Sequence, residues 1–545
     1  MTILRTIIGL MLLVLSSQAH AGGLPEYAPG EVLVKFNQSA TSAQIRQLNS
    51  TIGATTIKTF RGLNIHHIRL PNGYTVKQAL NYFKSSGIVQ YAEPNYYRYL
   101  NAVPNDPQFP QMWGLDNTGQ TGGTPNADID APLAWDISTG SQQVIVADLD
   151  TGLDMTHPDI AANLWTNPGE IPANGIDDDG NGYIDDVHGW DFGENDNDPS
   201  DSVVACGGHG THTAGTIGAV GNNAVGVTGI NWSVSLMPLK IFKPVFFGLL
   251  CTADSAAIIG AVNYAAMMGA KVSNNSYGGG PASQAEMDAI AASRSLYVAA
   301  AGNGGADGIG DNNDLVPQYP SSYPLDNVLA VAATDHNDVL AVFSNYGVTS
   351  VDLAAPGVQI LSTVPVRDGS YALFDGTSMA TPHVTGVAAL MLSQDPSLTF
   401  RELRWRILNS VNPVAGLSGM VATGGRLNAN NAMALGVAGP DVSVTVTPVG
   451  PTNVTRGSSL SYQVTLTNNT ATAQTVSAQV YAILPNGSDY VLDGPLNVNL
   501  PPSGVVSRTF TKTVPAGAPV GAYDIIGQAQ NVATFDESAA AYQIN

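Results

Sequence analysis

The sequence predicts an α/β protein built on a parallel sheet with helices on both faces, preceded by a small α+β unit and followed by an all-β sandwich. Between residues 140 and 435, nearly continuous apolar runs alternate with helical stretches, as expected for strands covered on both sides. After Gly439-Pro440 the texture changes: apolar and polar residues alternate, turn residues separate the runs, and helix signals disappear. At 545 residues and 44% hydrophobic content, the chain exceeds one ordinary domain and can bury several cores.

The elements follow in chain order. Met1–Ala21 carries one base (Arg5), an apolar run Ile7–Leu15 and the small-residue stretch Ala19-His20-Ala21 before Gly22. This pattern predicts a secretory signal, residues 1–21, because a membrane span needs roughly 20 apolar residues. Export predicts oxidising surroundings. Residues 22–104 read as the α+β unit: Val32–Phe36 is a strand, and Ile45, Leu48 and Ile52 keep helical spacing. A second strand covers Leu63–Leu70, Val76, Leu80 and Phe83 mark a second helix, and Ile88–Tyr91 closes the unit ahead of an exposed linker, Asn101–Pro107.

Residues 105–437 hold the strand-like runs Val144–Leu149, Leu236–Phe242, Lys271–Asn275, Ser295–Ala301 and Val328–Ala333. Helices are predicted over Ala253–Met268, Gln284–Arg294, Thr377–Ser393 and Thr399–Asn409. In residues 438–545, Val442, Val444 and Val446, then Leu460, Tyr462, Val464 and Leu466, then Val476, Ala478 and Val480 mark sandwich strands of an Ig-like type.

The formal charge of −22 argues against nucleic acid as the main partner, since phosphate binding needs a basic face. It divides unevenly. Residues 22–100 hold eight Lys/Arg against three Asp/Glu, a net +5; residues 101–437 hold nine against 34, a net −25. Two cysteines exclude a disulfide-built miniprotein and a four-thiolate zinc framework.

Four glycine-rich segments end or follow apolar runs: Asp150-Thr151-Gly152, His209-Gly210-Thr211-His212, Ala300-Ala301-Gly302-Asn303-Gly304 and Gly376-Thr377-Ser378-Met379-Ala380-Thr381-Pro382. Strand ends of a parallel sheet are where catalytic groups collect. A serine hydroxyl is a weak nucleophile until a base takes its proton, His titrates near neutrality, and a buried carboxylate fixes the imidazole tautomer. Ser378 at a helix start aims its own N–H at a developing oxyanion, and Pro382 is tolerated there because it lies in the first turn.

In this order these segments resemble the subtilisin-like serine proteases, or subtilases, over roughly residues 105–437. The resemblance implies a subtilisin-like fold, with Asp150 as triad acid, His209 as general base, Ser378 as nucleophile and Asn303 as oxyanion-hole amide. It also implies that Ser276-Tyr277-Gly278 pairs with extended substrate and that Ala300, Ala301 and Gly302 wall the pocket for the side chain before the scissile bond, with Gln318 as a candidate floor. Asp148 departs from the pattern, standing where an apolar strand residue is expected; it reads as a satisfied polar residue or a perturber of Asp150.

Residues 177–201 contain ten acids and no Lys or Arg. Alternating oxygen donors with a glycine turn suit a hard cation, so Asp177, Asp179, Asn181, Asp185 and Asp186 are candidate Ca²⁺ ligands; the loop is no EF-hand, since its twelfth position is His188. By resemblance, a second calcium site draws on Asp159, Asn223 and the carbonyls of Val225 and Val227, with Asp106 joining either site. Calcium is expected as a structural ion, with no catalytic metal. The family's topology brings the loops of Cys206 and Cys251 together, which implies a disulfide; two separate thiols are the alternative.

The expected protein is therefore a secreted serine endopeptidase with protein or peptide substrates and no nucleic-acid or membrane partner, acting as a monomer. Its own propeptide would serve as intramolecular chaperone and inhibitor, with cleavage between Tyr96 and Asp106. The C-terminal sandwich carries no catalytic constellation. The competing readings are an adhesin on a protease fold and an esterase.

Overall fold

The computed structural model describes residues 27–71, 73–96, 102–201, 206–246, 250–435 and 439–545. The predicted signal, residues 1–21, lies outside the described residues, as does much of the expected cleavage window. The chain forms two compact units, divided after Asn101.

The first unit is an antiparallel sheet in the order β2-β3-β1-β4, made from β1 (Tyr27–Phe36), β2 (Thr55–Phe60), β3 (Ile65–Arg69) and β4 (Val89–Tyr96). Helices α1 (Ser42–Thr51) and α2 (Val76–Lys84) each begin with a capping box, Thr41 with Gln44 and Thr75 with Gln78, which satisfies orphan N–H groups of the first turn. Ile45, Val76, Ala79 and Phe83 pack on Val32, Val34, Phe36 and Ile68. Strand β2 was illegible in the sequence because every one of its residues is exposed, so no apolar alternation marks it.

In the second unit a nine-stranded sheet organises the chain. Its centre comprises β5 (Gly140–Asp150), β6 (Ser233–Lys240), β7 (Val272–Asn275), β8 (Leu296–Ala300), β9 (Val328–Thr334) and β10 (Leu353–Pro356). These run parallel in the order β10-β9-β8-β7-β5-β6. Residues Trp190–Asp191 extend one edge, and Gly425–Arg426 with antiparallel Asn412–Pro413 extend the other. The chain runs outward from β5 to β6, then crosses back to β7 and continues in the other direction. The crevice beyond the carboxyl ends of β5 and β7 is therefore the topological switch point where open α/β sheets bind ligands.

The alternation along β5 assigns the two faces. Val144 and Val146 join a core with helices α3 (His209–Gly218) and α6 (Thr377–Gln394), whereas Ala147 and Leu149 face α4 (Ser255–Met267) and α5 (Gln284–Ser293). Helix α6 is buried from Thr377 to Leu392, which accounts for its all-round apolar character, and Pro382 lies inside it, beyond the first turn in which the sequence placed it. Helix α7 (Phe400–Asn409) opens with a third capping box, Thr399 with Glu402.

The C-terminal residues form a three-stranded sheet (Val442–Pro448, Ser459–Asn468, Val505–Thr513) and a five-stranded one (Asn453–Val454, Phe535–Ile544, Gly521–Gln530, Gln474–Ile483, Asp489–Leu500), with Val444, Tyr462, Val476 and Ile525 in their shared core. This sandwich meets the α/β part through Asp489, which accepts hydrogen bonds from Arg294 and Arg401, and through Trp405, whose Nε1 donates to the Asn531 carbonyl at 3.0 Å. Among the described residues, no helix is long and apolar enough to cross a membrane.

Candidate active site

Strand β5 ends at Asp150, and α3 begins at His209 directly beside it. The Asp150 carboxylate is 1% exposed; its Oδ1 lies 2.7 Å from His209 Nδ1 and accepts the Thr151 N–H at 2.7 Å. His209 remains 28% exposed, so its far edge faces the crevice. Burial pulls the His209 pKa down, but the neighbouring carboxylates, the charge and hydrogen bond of Asp150 first among them, more than offset this, and the net shift is upward.

Ser378 sits in the first turn of α6, preceded by Gly376 and Thr377. Its Oγ donates to the Ser276 carbonyl at 3.0 Å, and Ser276 Oγ donates back to the Ser378 carbonyl at 2.9 Å. The resting hydroxyl is therefore parked on the segment that follows β7 rather than on the imidazole. Rotation about χ1 is the motion that releases it, a small step compared with a backbone change.

Asn303 follows β8. Its Oδ1 accepts both the N–H and the hydroxyl of Thr377, each at 2.8 Å, which fixes the amide and leaves its Nδ2 turned the other way. A Cβ added at Gly376 would lie 3.6 Å from Asn303 Nδ2 and 3.5 Å from the Ser378 nitrogen. The two donors thus border one space beside Gly376.

Ser276-Tyr277-Gly278 follows β7, and Ala300-Ala301-Gly302 ends and follows the neighbouring strand β8. Gln318 touches both: a Cβ on Gly278 would meet its Nε2 at 3.2 Å, and one on Gly302 its Cγ at 3.2 Å. A larger cavity of about 620 Å³ continues past Tyr277 and Gly278 between Phe242, Ile258, Glu286 and Tyr319. Cys206 and Cys251 form a disulfide, Cα–Cα 5.3 Å, joining the entry of α3 to the hairpin Lys243–Val245/Leu250–Thr252, which contributes to that cavity.

The acidic loop folds around Glu170, a residue the sequence reading missed because it precedes the run by seven positions. One carboxylate oxygen each of Glu170, Asp177 and Asp179 lies within 4.8 Å of the others, and no described Lys or Arg pairs with them. Glu170 is also a structural hub, accepting the N–H groups of Asp178, Asp179 and Asp185. Asn181 binds Asp179 and Asp186 through its side-chain amide. Asp186 is buried against Asn167 and the Tyr264 hydroxyl. Asp185 turns away from the group; its carboxylate caps the N–H groups of Asn174 and Gly175. Three converging carboxylates without a basic partner, all offering hard oxygen donors, fit Ca²⁺.

The second expected cluster assembles around Asp159, which is fully buried. Asp159 accepts from Asn223 Nδ2, the Val227 N–H and the Tyr371 hydroxyl at 2.8–3.0 Å. Val225 donates its N–H to Asn223 Oδ1, so both valines enter through N–H groups. Asp106 joins here rather than the acidic loop, bound by the N–H groups of Asn222 and Asn223; burial and then the charge of Asp159 push its pKa up. Two facing carboxylates are again a donor set that a divalent cation would relieve.

With this geometry established, the comparisons are specific. The profile of the Subtilase family matches residues 141–443, and that of the Fervidolysin N-terminal prodomain matches residues 16–95. The chain belongs to the subtilase family and is a serine-type endopeptidase. It is 33% identical to the Thermophilic serine proteinase of Bacillus sp. (strain AK1) over 75% of this chain and 88% of that one. With Thermitase of Thermoactinomyces vulgaris it shares 37% identity over 61% of this chain and 99% of that protein. Among solved structures, that of fervidolysin from Fervidobacterium pennivorans, titled a keratinolytic enzyme related to subtilisin, matches 93% of this chain and 72% of its own at 25% identity and a TM-score of 0.46.

Proposed function

We propose that this chain is an exported, calcium-stabilised serine endopeptidase made as a self-processing zymogen, with Asp150, His209 and Ser378 as its triad. The observation that carries the reading is the Asp150–His209 pair beside a serine whose own N–H and the Asn303 amide border one space. In the reaction the Ser378 hydroxyl leaves the Ser276 carbonyl and attacks the peptide carbonyl carbon while His209 Nε2 takes its proton. Asp150 holds the imidazole tautomer and offsets the imidazolium charge. The oxyanion receives the Ser378 N–H and Asn303 Nδ2. His209 then protonates the leaving amine, and water hydrolyses the acyl-enzyme by the reverse path.

Ser276, Tyr277 and Gly278 on one side and Ala300, Ala301 and Gly302 on the other form the substrate walls, with Gln318 between them. Calcium serves stability: Glu170, Asp177 and Asp179, with Asn181 and Asp186 behind them, would hold one ion, and Asp159 with Asp106 and Asn223 a second. When bound, such ions neutralise the clustered carboxylates; no chemical step passes through them.

The domain reading is a signal at 1–21, a propeptide at 22–104, the catalytic domain at 105–437 and a sandwich at 438–545. The +5 propeptide segment and the −25 catalytic region favour association through rate. The direct test expresses wild type beside Ser378→Ala. Loss of the first ~100 residues by wild type alone is the expected result; identical maturation of both overturns self-processing.

A further inference from the structure

Asp148, which departs from the family pattern, stands at the centre of a buried network. It is 4% exposed, and the alternation of β5 places it on the face that carries Asp150, beneath α3. Its Oδ1 accepts from Asn274 Nδ2 at 2.9 Å, while its Oδ2 lies 3.2 Å from Thr213 Oγ1. That hydroxyl is in turn 3.0 Å from the Gly210 carbonyl and 3.5 Å from Asp150 Oδ2. On the other branch, Asn274 Nδ2 also reaches Ser276 Oγ at 3.0 Å, and Ser276 Oγ binds the Ser378 carbonyl. The second branch is braced by Thr385 of α6, whose Oγ1 donates to Asn274 Oδ1. One carboxyl group thus ties the strand end bearing Asp150, the helix start bearing His209 and the turn bearing Ser378.

The donor count specifies its form. Asp150 Oδ2 and the Gly210 carbonyl only accept, and Thr213 has one proton to give them. Were Asp148 ionised, two buried carboxylates would compete for that single proton. As a carboxylic acid, Asp148 gives its own proton from Oδ2 to Thr213 Oγ1, and its Oδ1 stays an acceptor for Asn274, the oxygen the amide in fact approaches. The charged groups around it are Asp150 on its own strand and His209 on α3, with Asp201 bordering His209; β7 and α6 present only the neutral Asn274 and Thr385. Lys240 on neighbouring β6 is engaged by Asp191 and Glu194, so no described cation pairs with Asp148. Burial, and then the charge of Asp150, accordingly raise its pKa well above the ordinary carboxylate range.

We propose that Asp148 is a positioning residue of the triad, a neutral acid that donates to Thr213 to orient Asp150 and accepts from Asn274 to hold the Ser378 turn. This rests on the triad reading above. The test measures kcat, KM and the acidic limb of the pH profile on a peptide substrate for processed wild type, Asp148→Asn, Asp148→Val and Thr213→Val, each normalised by fluorophosphonate titration. Asparagine keeps a neutral donor and an acceptor, so Asp148→Asn is expected to stay within about threefold of wild-type kcat with its acidic limb unmoved. Asp148→Val and Thr213→Val are each expected to lose kcat by on the order of tenfold or more at near-constant KM, and the double variant to be no worse than either single.

An Asp148→Asn variant as impaired as Asp148→Val overturns the proposal. So does an acidic limb shifted down by more than about half a pH unit in Asp148→Asn, the signature of a lost negative charge. Wild-type activity in Thr213→Val overturns it too, should Asp148→Val fail to fold. Wild type that resists the phosphonate would instead sink the triad reading, and this proposal with it.

Discussion

Asn303 offers the sharpest test of the oxyanion site, because its two ends do different jobs. Its Oδ1 anchors the start of α6 through the Thr377 N–H and hydroxyl, while its Nδ2 borders the Ser378 nitrogen. Asn303→Asp preserves the anchor and removes the donor; Asn303→Leu removes both. Loss of one such donor costs about 2.7–4 kcal/mol, or 10²–10³ in kcat, a magnitude recorded in a subtilisin and therefore borrowed from the family. The aspartate adds repulsion of the oxyanion, about 1–4 kcal/mol at 4 Å between bulk-water and near-surface dielectric. Asn303→Asp should thus fall by roughly 10³–10⁶ and Asn303→Leu by about 10²–10³, both chiefly in kcat.

The stability ranking should reverse. A carboxylate at the N-terminus of α6 is favourable by about 0.3–1 kcal/mol, whereas leucine abandons two donors of buried Thr377. Steady-state kinetics on a peptide anilide, paired with thermal melts, checks both rankings. If Asn303→Asp keeps more than about a tenth of wild-type kcat, the amide is a helix anchor and not an oxyanion donor.

Three further outcomes follow from other parts of the molecule. Excess EDTA should lower the melting temperature, since calcium held at 100 times its dissociation constant contributes about 2.7 kcal/mol by mass action; Glu170→Gln should need more free calcium to recover it, and melts indifferent to chelator and to this variant would refute the loop's role. Cys206→Ser opens a closure spanning 45 residues and should cost about 2–4 kcal/mol, read as an earlier melt that reductant reproduces in wild type but not in the variant. Activity requires neutral His209, whose pKa is held above the ordinary histidine value by Asp150 despite burial. The kcat/KM profile should therefore rise with pH through a midpoint above that value, and a midpoint below it would show that Asp150 does not govern the imidazole.

Much of the candidate catalytic centre could be read from one dimension. Glycine-flanked Asp150, His209, Asn303 and Ser378 follow apolar runs or open helices, and each type suits one step of acyl transfer. The core strands β5 to β9 and helices α4 to α7 announced themselves by length and apolar continuity, because burial on both faces leaves few polar interruptions. Local signals failed where the reason for a residue lies across the sheet. Strand β2 has no apolar face, and Glu170 gains its meaning only when the loop closes its carboxylate on the N–H groups of Asp178, Asp179 and Asp185.

By itself, then, the sequence determined the class of chemistry and the layered architecture, since residue type and periodicity are local properties that survive projection onto a line. Pairing belonged to the tertiary structure. Only it decided that Asp106 faces Asp159, that Asp185 turns from the acidic cluster, that the resting Ser378 hydroxyl lies on the Ser276 carbonyl, and that Asp148 meets Thr213 and Asn274. A hydrogen bond is set by angstroms between side chains on different elements, and the order of strands in the sheet, which brings β7 beside β5 across more than 120 residues, is what supplies those angstroms.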